Sequence, residues 1–167
     1  MSKSVAVIAD RLLCDNKDVA DTVKCTLPEL KWLTATLSGS GVGGNVEIPL
    51  QGMAEAMSFQ VDLKGVGADN AALLLVPGVR SLELRFNRDR FDSQGQVVKA
   101  GTKIFLSGIH AALTPGAIQR ASPMESSASF SILRYRWVED GEELFLIDQI
   151  NQRYKAMGVD YSDRYQL

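Results

Sequence analysis

A handful of residues in this chain have the types and spacings that can do chemistry, and the glycines come first. Gly39, Gly41 and Gly44 stand in the stretch LSGSGVGGNVEIPLQGM as G-x-G-x-x-G, the spacing of a loop that wraps a pyrophosphate. Such a loop needs a helix opening directly behind it, because the free N–H groups of the helix start hold the phosphates. Here Val46, Ile48 and Leu50 alternate with other residues and Pro49 interrupts them, which reads as a strand at an edge or a bulge. Asp62 lies near the offset of a ribose-binding carboxylate, but on the polar side of another alternating run. No Lys-Ser/Thr pair follows the glycines, so a P-loop is excluded as well. The glycines read instead as the tip of a long β-hairpin, where positive φ costs glycine nothing.

The other candidates thin out in the same way. His110 is the only histidine and sits between IFLSGI and AALTPG, at the end of a strand, as a structural or exposed residue rather than a catalytic base. No serine stands in a nucleophile elbow. The carboxylate pairs Asp89 with Asp92 and Glu142 with Glu143 fall in expected turns and read as solvated. The run RFNRDRF (85–91) mixes arginine with phenylalanine, as nucleic-acid stacking surfaces do, but alternation explains it as a strand with one buried and one wet face. Cys14 and Cys25, the only cysteines, are too few for a metal cluster. They flank DNKD; a hairpin that faces Cys14 to Val19 puts Cys25 opposite Ile8, about 20 Å along the strand from Cys14. A disulfide needs Cα atoms within about 7 Å, so two readings stay open: free thiols, or a bridge between different subunits. No catalytic constellation, cofactor or metal site is expected, and the chain does not read as an enzyme.

The elements that would position these residues are mostly strands. Met57, Phe59, Val61 and Leu63 alternate with polar residues, as do Leu82, Leu84 and Phe86, which is the period of a half-buried strand. Further strands are expected at 4–13, 19–26, 29–37, 102–113, 126–138 and 143–150, with turns at DSQG (92–95) and EDGE (139–142). One short helix is expected over AALLLV, capped by Asp69 or Asn70 and stopped by Pro77-Gly78, and a second near the C-terminus, where Asp160 would cap YSDRY. The 167 residues read as one domain, 1–167, with a Gly-rich hairpin loop at about 37–45. Hydrophobic residues make up 46% and charged residues 23%, an ordinary globular balance. A net charge of -2 argues against a general nucleic-acid binder. No apolar run approaches the roughly 18 to 20 residues of a bilayer span, and the apolar stretch at the N-terminus is too short for a secretory signal. A soluble protein made in the cytoplasm, with no stable membrane association, is expected. A β-rich domain with exposed edges is prone to pair with other chains, so assemblies are the place to look.

With that outline in hand, the piece VKCTLPELKWLTATLSGSGVGGNVEIPLQGMAEAMSFQVDLKG resembles the major tail tube protein family of contractile-tailed bacteriophages and phage-tail-like bacteriocins. The resemblance rests on Leu27, Pro28, Glu29 and Leu30 between two strands, the glycine loop, and the step Gly52-Met53. The closing pattern also matches, through Ile147, Asp148, Ile150, Asn151, Gly158, Val159 and Asp160. The stretch 92–125 carries the least of it, and the apolar N-terminus VAVIADRLL departs from it.

The resemblance implies a mainly β fold, a sandwich or barrel-like tail tube subunit with one or two short helices. It implies hexameric rings that stack into the inner tube of a contractile tail and conduct DNA through the host envelope. The partners would be further copies of the chain, the tail sheath, baseplate and tail-terminator proteins, with DNA passing transiently through the lumen. The place would be the virion tail, assembled in the host cytoplasm. An acidic or mixed lumen would suit passage, since a basic wall holds phosphates. The loop residues Leu37, Gly39, Gly41, Val42, Gly43, Gly44 and Asn45 are the expected inter-subunit contact, with the glycines as hinges and Val42 at the tip. Tyr161 and Tyr165 are candidates for packing against a neighbour, and packing within their own subunit is the equal alternative. A type VI secretion tube, a ring protein at the tube's end and a small monomeric ligand-binding β-barrel are the competing readings.

Overall fold

The computed structural model describes residues 2–165. Its strands follow the alternation closely. β1 (Lys3–Cys14) and β2 (Lys17–Asp18) form a hairpin, followed by β3 (Thr22–Thr26), β4 (Trp32–Leu37), β5 (Val46–Ala54) and β6 (Met57–Leu63). A short helix α1 (Ala68–Leu74) leads to three long strands, β7 (Val79–Phe91), β8 (Val97–Thr114) and β9 (Ser126–Glu139). The chain closes with β10 (Glu142–Asp148), β11 (Arg153–Ala156), β12 (Val159–Asp160) and a 3-10 turn at Ser162–Tyr165. The fold is mainly β with one short α-helix.

Nearly all the strands join one sheet in the order β12-β11-β10-β9-β8-β7-β1-β2, every pair antiparallel. β9 is shared lengthwise: Ser126 to Ile132 pair with β6, and Arg134 to Glu139 pair with β10. β6, with β3 beyond it, and β10 thus follow one another along β9. One side of the sheet holds the core, with Phe59, Leu63, Leu82, Ile104, Leu106, Phe130 and Ile132 fully buried. Leu74 from α1 packs into the same cluster. The ends of the path, β12 and β2, do not pair, so the sheet is not a closed barrel. The mainly β expectation holds, and an open sheet lacks the enclosed interior that a monomeric ligand-binding barrel needs. β4 and β5 pair only with each other, as a separate two-stranded sheet.

Several boundaries differ from the sequence reading, each for a local reason. The first hairpin turns on Asp15 and Asn16 alone, both at positive φ, a two-residue turn whose twist matches the strands it joins. Cys14 therefore faces Lys17 rather than Val19. The strand expected at 19–26 shrinks to β3 and leaves β1 altogether, pairing with β6, so Cys25 faces Val61 and not Ile8. The helix starts earlier than expected, at Ala68. Asn70 serves inside its first turn, its carboxamide oxygen accepting the Gly67 N–H at 2.9 Å. The second helix is only a 3-10 turn, where the Asp160 carboxylate accepts the Ser162 N–H at 2.9 Å. β11 and β12 were not foreseen, because strands of four and two residues show too little period to read.

Candidate assembly surfaces

The glycine loop lies where alternation puts it, at the tip of a projecting arm made of β4 and β5. Leu37 closes β4 opposite Val46, and residues 38–45 make the turn. Gly39, Gly41 and Gly44 hold φ of +127°, +89° and +115°, a region L side chains avoid. Gly43 is not among the positive-φ glycines, so three of the four expected hinges need glycine for their backbone. The loop is tied by few bonds: Val42 N–H donates to the Gly39 carbonyl at 3.2 Å and Gly44 N–H to the Val42 carbonyl at 2.9 Å. A Cβ built on any of these glycines meets open space. The phosphate-loop reading fails on geometry, since β5 and not a helix follows the glycines.

The register of the arm puts Ala35 beside Ile48 and Leu37 beside Val46, with Leu33 on the same side by alternation. Thr34, Thr36, Glu47 and Pro49 take the other side. Leu33, Leu37, Val46 and Ile48 are all exposed. Glu47 is the only ionisable side chain from Trp32 to Met53. The base, by contrast, is fixed. Trp32 stands edge-on to Tyr154 at 5.1 Å. The Gln149 amide donates to the carbonyls of Ala54 and Glu55 at 3.1 Å each, and Lys31 pairs with Glu55 at 3.7 Å. An anchored root, an unshared sheet and an uncovered apolar face together describe a limb built to lie against something else.

A second open surface is the outer edge of β1. β1 pairs with β7 along its whole length, but on its other side only Leu13 and Cys14 pair, with β2. Lys3 to Arg11 are exposed, and the register slips at Val5 and Ile8 mark two bulges, a common guard on an open edge. The apolar N-terminus that looked out of place in the sequence is this edge.

Tyr161 packs on Tyr154 of its own chain at 5.8 Å while 43% of it stays exposed. The side chain of Tyr165 lies outside the described residues. Both cysteines are free. Cys14 is fully buried and donates to the Leu73 carbonyl at 3.4 Å. Burial pushes its thiol up, partly offset by the Arg80 guanidinium. Burial pushes the Cys25 thiol up to about 12, helped by Asp10 and Asp62. Two protonated thiols make poor nucleophiles, and a bridge from Cys14 to another chain requires it to leave the core. His110 pairs with Phe130 across β8 and β9, its ring edge-on at 5.5 Å. Asp89 lies within β7 rather than in a turn, and Glu143 pairs with Arg136 at 2.6 Å. In RFNRDRF the wet and buried sides are reversed in part: Arg88 and Arg90 share the Glu139 carboxylate on the core side of the sheet, and Phe91 is exposed. Alternation alone missed this, because the ion pairs form across strands. Among the described residues no group of His, Cys, Asp or Glu is arranged to hold a metal ion, and no helix is long and apolar enough to cross a membrane.

An unclosed sheet and an arm with nothing of its own to pack on describe a building block. The family defined as phage tail tube protein FII matches residues 8–167. The chain belongs to the phage tail tube family. The chain is also similar to the tail tube protein of Escherichia phage P2, 27% identical over 143 residues that cover 84% of this chain and 81% of that protein. As a tail tube family member it has a structural role, in a tube that associates with other tail proteins. Leu27-Pro28-Glu29-Leu30 and Gly158-Val159-Asp160, which carried the resemblance, both fall inside the matched span.

Proposed function

We propose that copies of this tail tube protein form hexameric rings that stack into the inner tube of a contractile tail. The tube passes through the host envelope when the sheath contracts, and its lumen conducts the DNA. The partners are further copies, the tail sheath, and the baseplate and tail-terminator proteins that bound the tube, assembled in the bacterial cytoplasm. The observation that carries the reading is the β4–β5 arm. An exposed two-stranded ribbon is marginal in water by itself, and the apolar side of this one is covered by nothing in its own subunit. Laid against a neighbouring copy, each fully covered Leu or Ile would contribute roughly 1.5–3 kcal/mol. The three positive-φ glycines let the tip conform to that neighbour. The free side of β1 supplies a second contact, a backbone edge that a copy in the same ring can pair with.

Negative-stain electron microscopy, with light scattering on the same sample, tests this reading. Hollow tubes or rings are expected from the intact chain. Deleting Gly39 to Gly44 should leave a folded monomer that does not polymerise. Tubes of ordinary length and stability from that deletion would remove the arm from the assembly.

A further inference from the structure

The loop between β8 and β9 carries the barest large apolar side chain among the described residues. Ile118 is 94% exposed, and the loop that presents it is stiffly built. Ala117 N–H donates to the Met124 carbonyl at 3.1 Å, and Ser122 N–H to the Gln119 carbonyl at 3.3 Å. The Ser126 hydroxyl donates to the Pro115 carbonyl at 2.6 Å. Met124 N–H ties the loop to the Lys64 carbonyl, one residue past the end of β6, at 3.2 Å. A side chain held out on so fixed a loop has little freedom left to lose when it is covered. Neither the arm nor the free edge of β1 accounts for it.

Before the other end of β6, at the root of the arm, lies a cleft of about 390 Å³. Leu33, Met53, Ala54 and Ile147 give it apolar walls, with Asp148 and Gln149 beside them. Leu33 and Met53 are 40% and 42% exposed, so a side chain from outside can reach them. The Gln149 amide, bonded to the Ala54 and Glu55 carbonyls, holds the two sides of the cleft together. β6, seven residues long, separates knob and cleft by about 20 Å, so a chain does not fill its own cleft, and a second copy can. The charges agree as well. Asp148 is the only ionisable residue lining the cleft, and Arg120, exposed and two residues from Ile118, is the only cation of the loop. We infer that Ile118 of one copy seats in the arm-root cleft of a second copy. Knob and cleft are different patches of one chain, so the contact is head-to-tail and repeats from copy to copy. The inference rests on the reading that copies assemble, and it adds a contact that neither the arm tip nor β1 supplies.

Cysteine pairing tests it. Full chains carrying Ile118→Cys are mixed with full chains carrying Met53→Cys and oxidised mildly, both as tubes and in concentrated solution, and the linked peptides are read by mass spectrometry. Links between positions 118 and 53 should outnumber the 118–118 and 53–53 links by roughly tenfold, because a disulfide needs Cα atoms within about 7 Å. Ile118→Asp should raise the concentration needed for assembly by roughly ten- to a hundredfold. Its unfolding midpoint should stay that of the parent, since the position is exposed. Met53→Lys added to the same chain should recover part of the loss through a new ion pair between copies. A 118–53 link no commoner than the self-links, or assembly of Ile118→Asp at the parent concentration, would each overturn the inference. Tubes that form without the link leave the arm reading standing and remove this contact. The link in a solution that never forms tubes supports this contact and counts against the tube.

Discussion

At the scale of single residues, the strictest demand falls on a glycine outside the glycine loop. Gly116 holds φ of +90°, and a Cβ there would sit 1.9 Å from the Met124 carbonyl oxygen, backbone that cannot step aside. Ala117 N–H donates to that same oxygen at 3.1 Å and Ser126 closes on the Pro115 carbonyl at 2.6 Å, so the whole 115–125 turn depends on the close approach. Gly116→Ala should cost on the order of 2–4 kcal/mol, read as a lowered urea midpoint, because strain and clash add. Gly43→Ala, with ordinary φ and open space, should move the midpoint little in comparison. The buried thiols give a second residue-scale outcome. Cys25 stays protonated in the fold up to about 12, whereas an unfolded thiol ionises near its ordinary value of 9.0. Above that lower value the unfolded chain holds fewer protons than the folded one, so stability falls as pH rises towards 12. Tyr135, raised by burial to about 12 from 10.0, adds to the same alkaline loss. Urea midpoints measured at neutral and strongly alkaline pH should therefore diverge, and Cys25→Ala should narrow the gap. Thiol reagents should label neither cysteine quickly in folded protein. If tubes ran as covalent multimers on a non-reducing gel, the inter-subunit bridge would return as the better reading.

At the scale of elements, the arm and the main sheet should separate cleanly. Leu37→Lys and Ile48→Lys place charge on exposed positions of the arm. In the monomer such changes should move stability by no more than about 0.5 kcal/mol. In the assembly they bury a charge against an apolar neighbour, and tube formation should fail. A chain that melts unchanged but no longer forms tubes is the expected pair of results, by thermal unfolding and by microscopy. Trp32→Ala acts at the root instead. It removes the edge-on contact with Tyr154 and should expose the hinge to protease in the free chain, while Phe130→Ala, at a fully buried position in the sheet, should cost about 3–5 kcal/mol globally.

For the whole molecule, the path from β12 to β2 leaves two ends that do not meet, and because β2 pairs with only Leu13 and Cys14, the rest of that edge is β1. Removing residues 2 to 8 deletes only exposed residues and spares Leu12 and Cys14 in the core. The truncated chain should unfold at nearly the parent midpoint yet fail to form rings, as judged by light scattering at the concentration where the parent assembles. Tubes from the truncated chain would move the in-ring contact elsewhere, with the arm and the other edges as the places left to search.

How much of this was legible beforehand depended on how local the cause was. Met57, Phe59, Val61 and Leu63 announced β6 because burial on one side of a strand imposes period two on the residues themselves. The same alternation, broken only by Pro49, placed Gly39 to Gly44 at a hairpin tip, and the loop motifs carried the family resemblance. Those features were determined by the sequence alone, since each rests on neighbours within a few residues. The partner of each strand was not. Cys25 was assigned to a hairpin with β1, yet β3 crosses to β6 because Asp15 and Asn16 complete their turn in two residues and release the chain early. Glu139 was read as part of a turn, and only the sheet brings Arg88 and Arg90 onto it from 51 and 49 residues away. Whether the sheet closed, which side of it stayed bare, and how its cations lined up across strands were decided by tertiary structure. Register between distant strands is set by which apolar faces can be buried together, and no stretch of chain carries that information by itself.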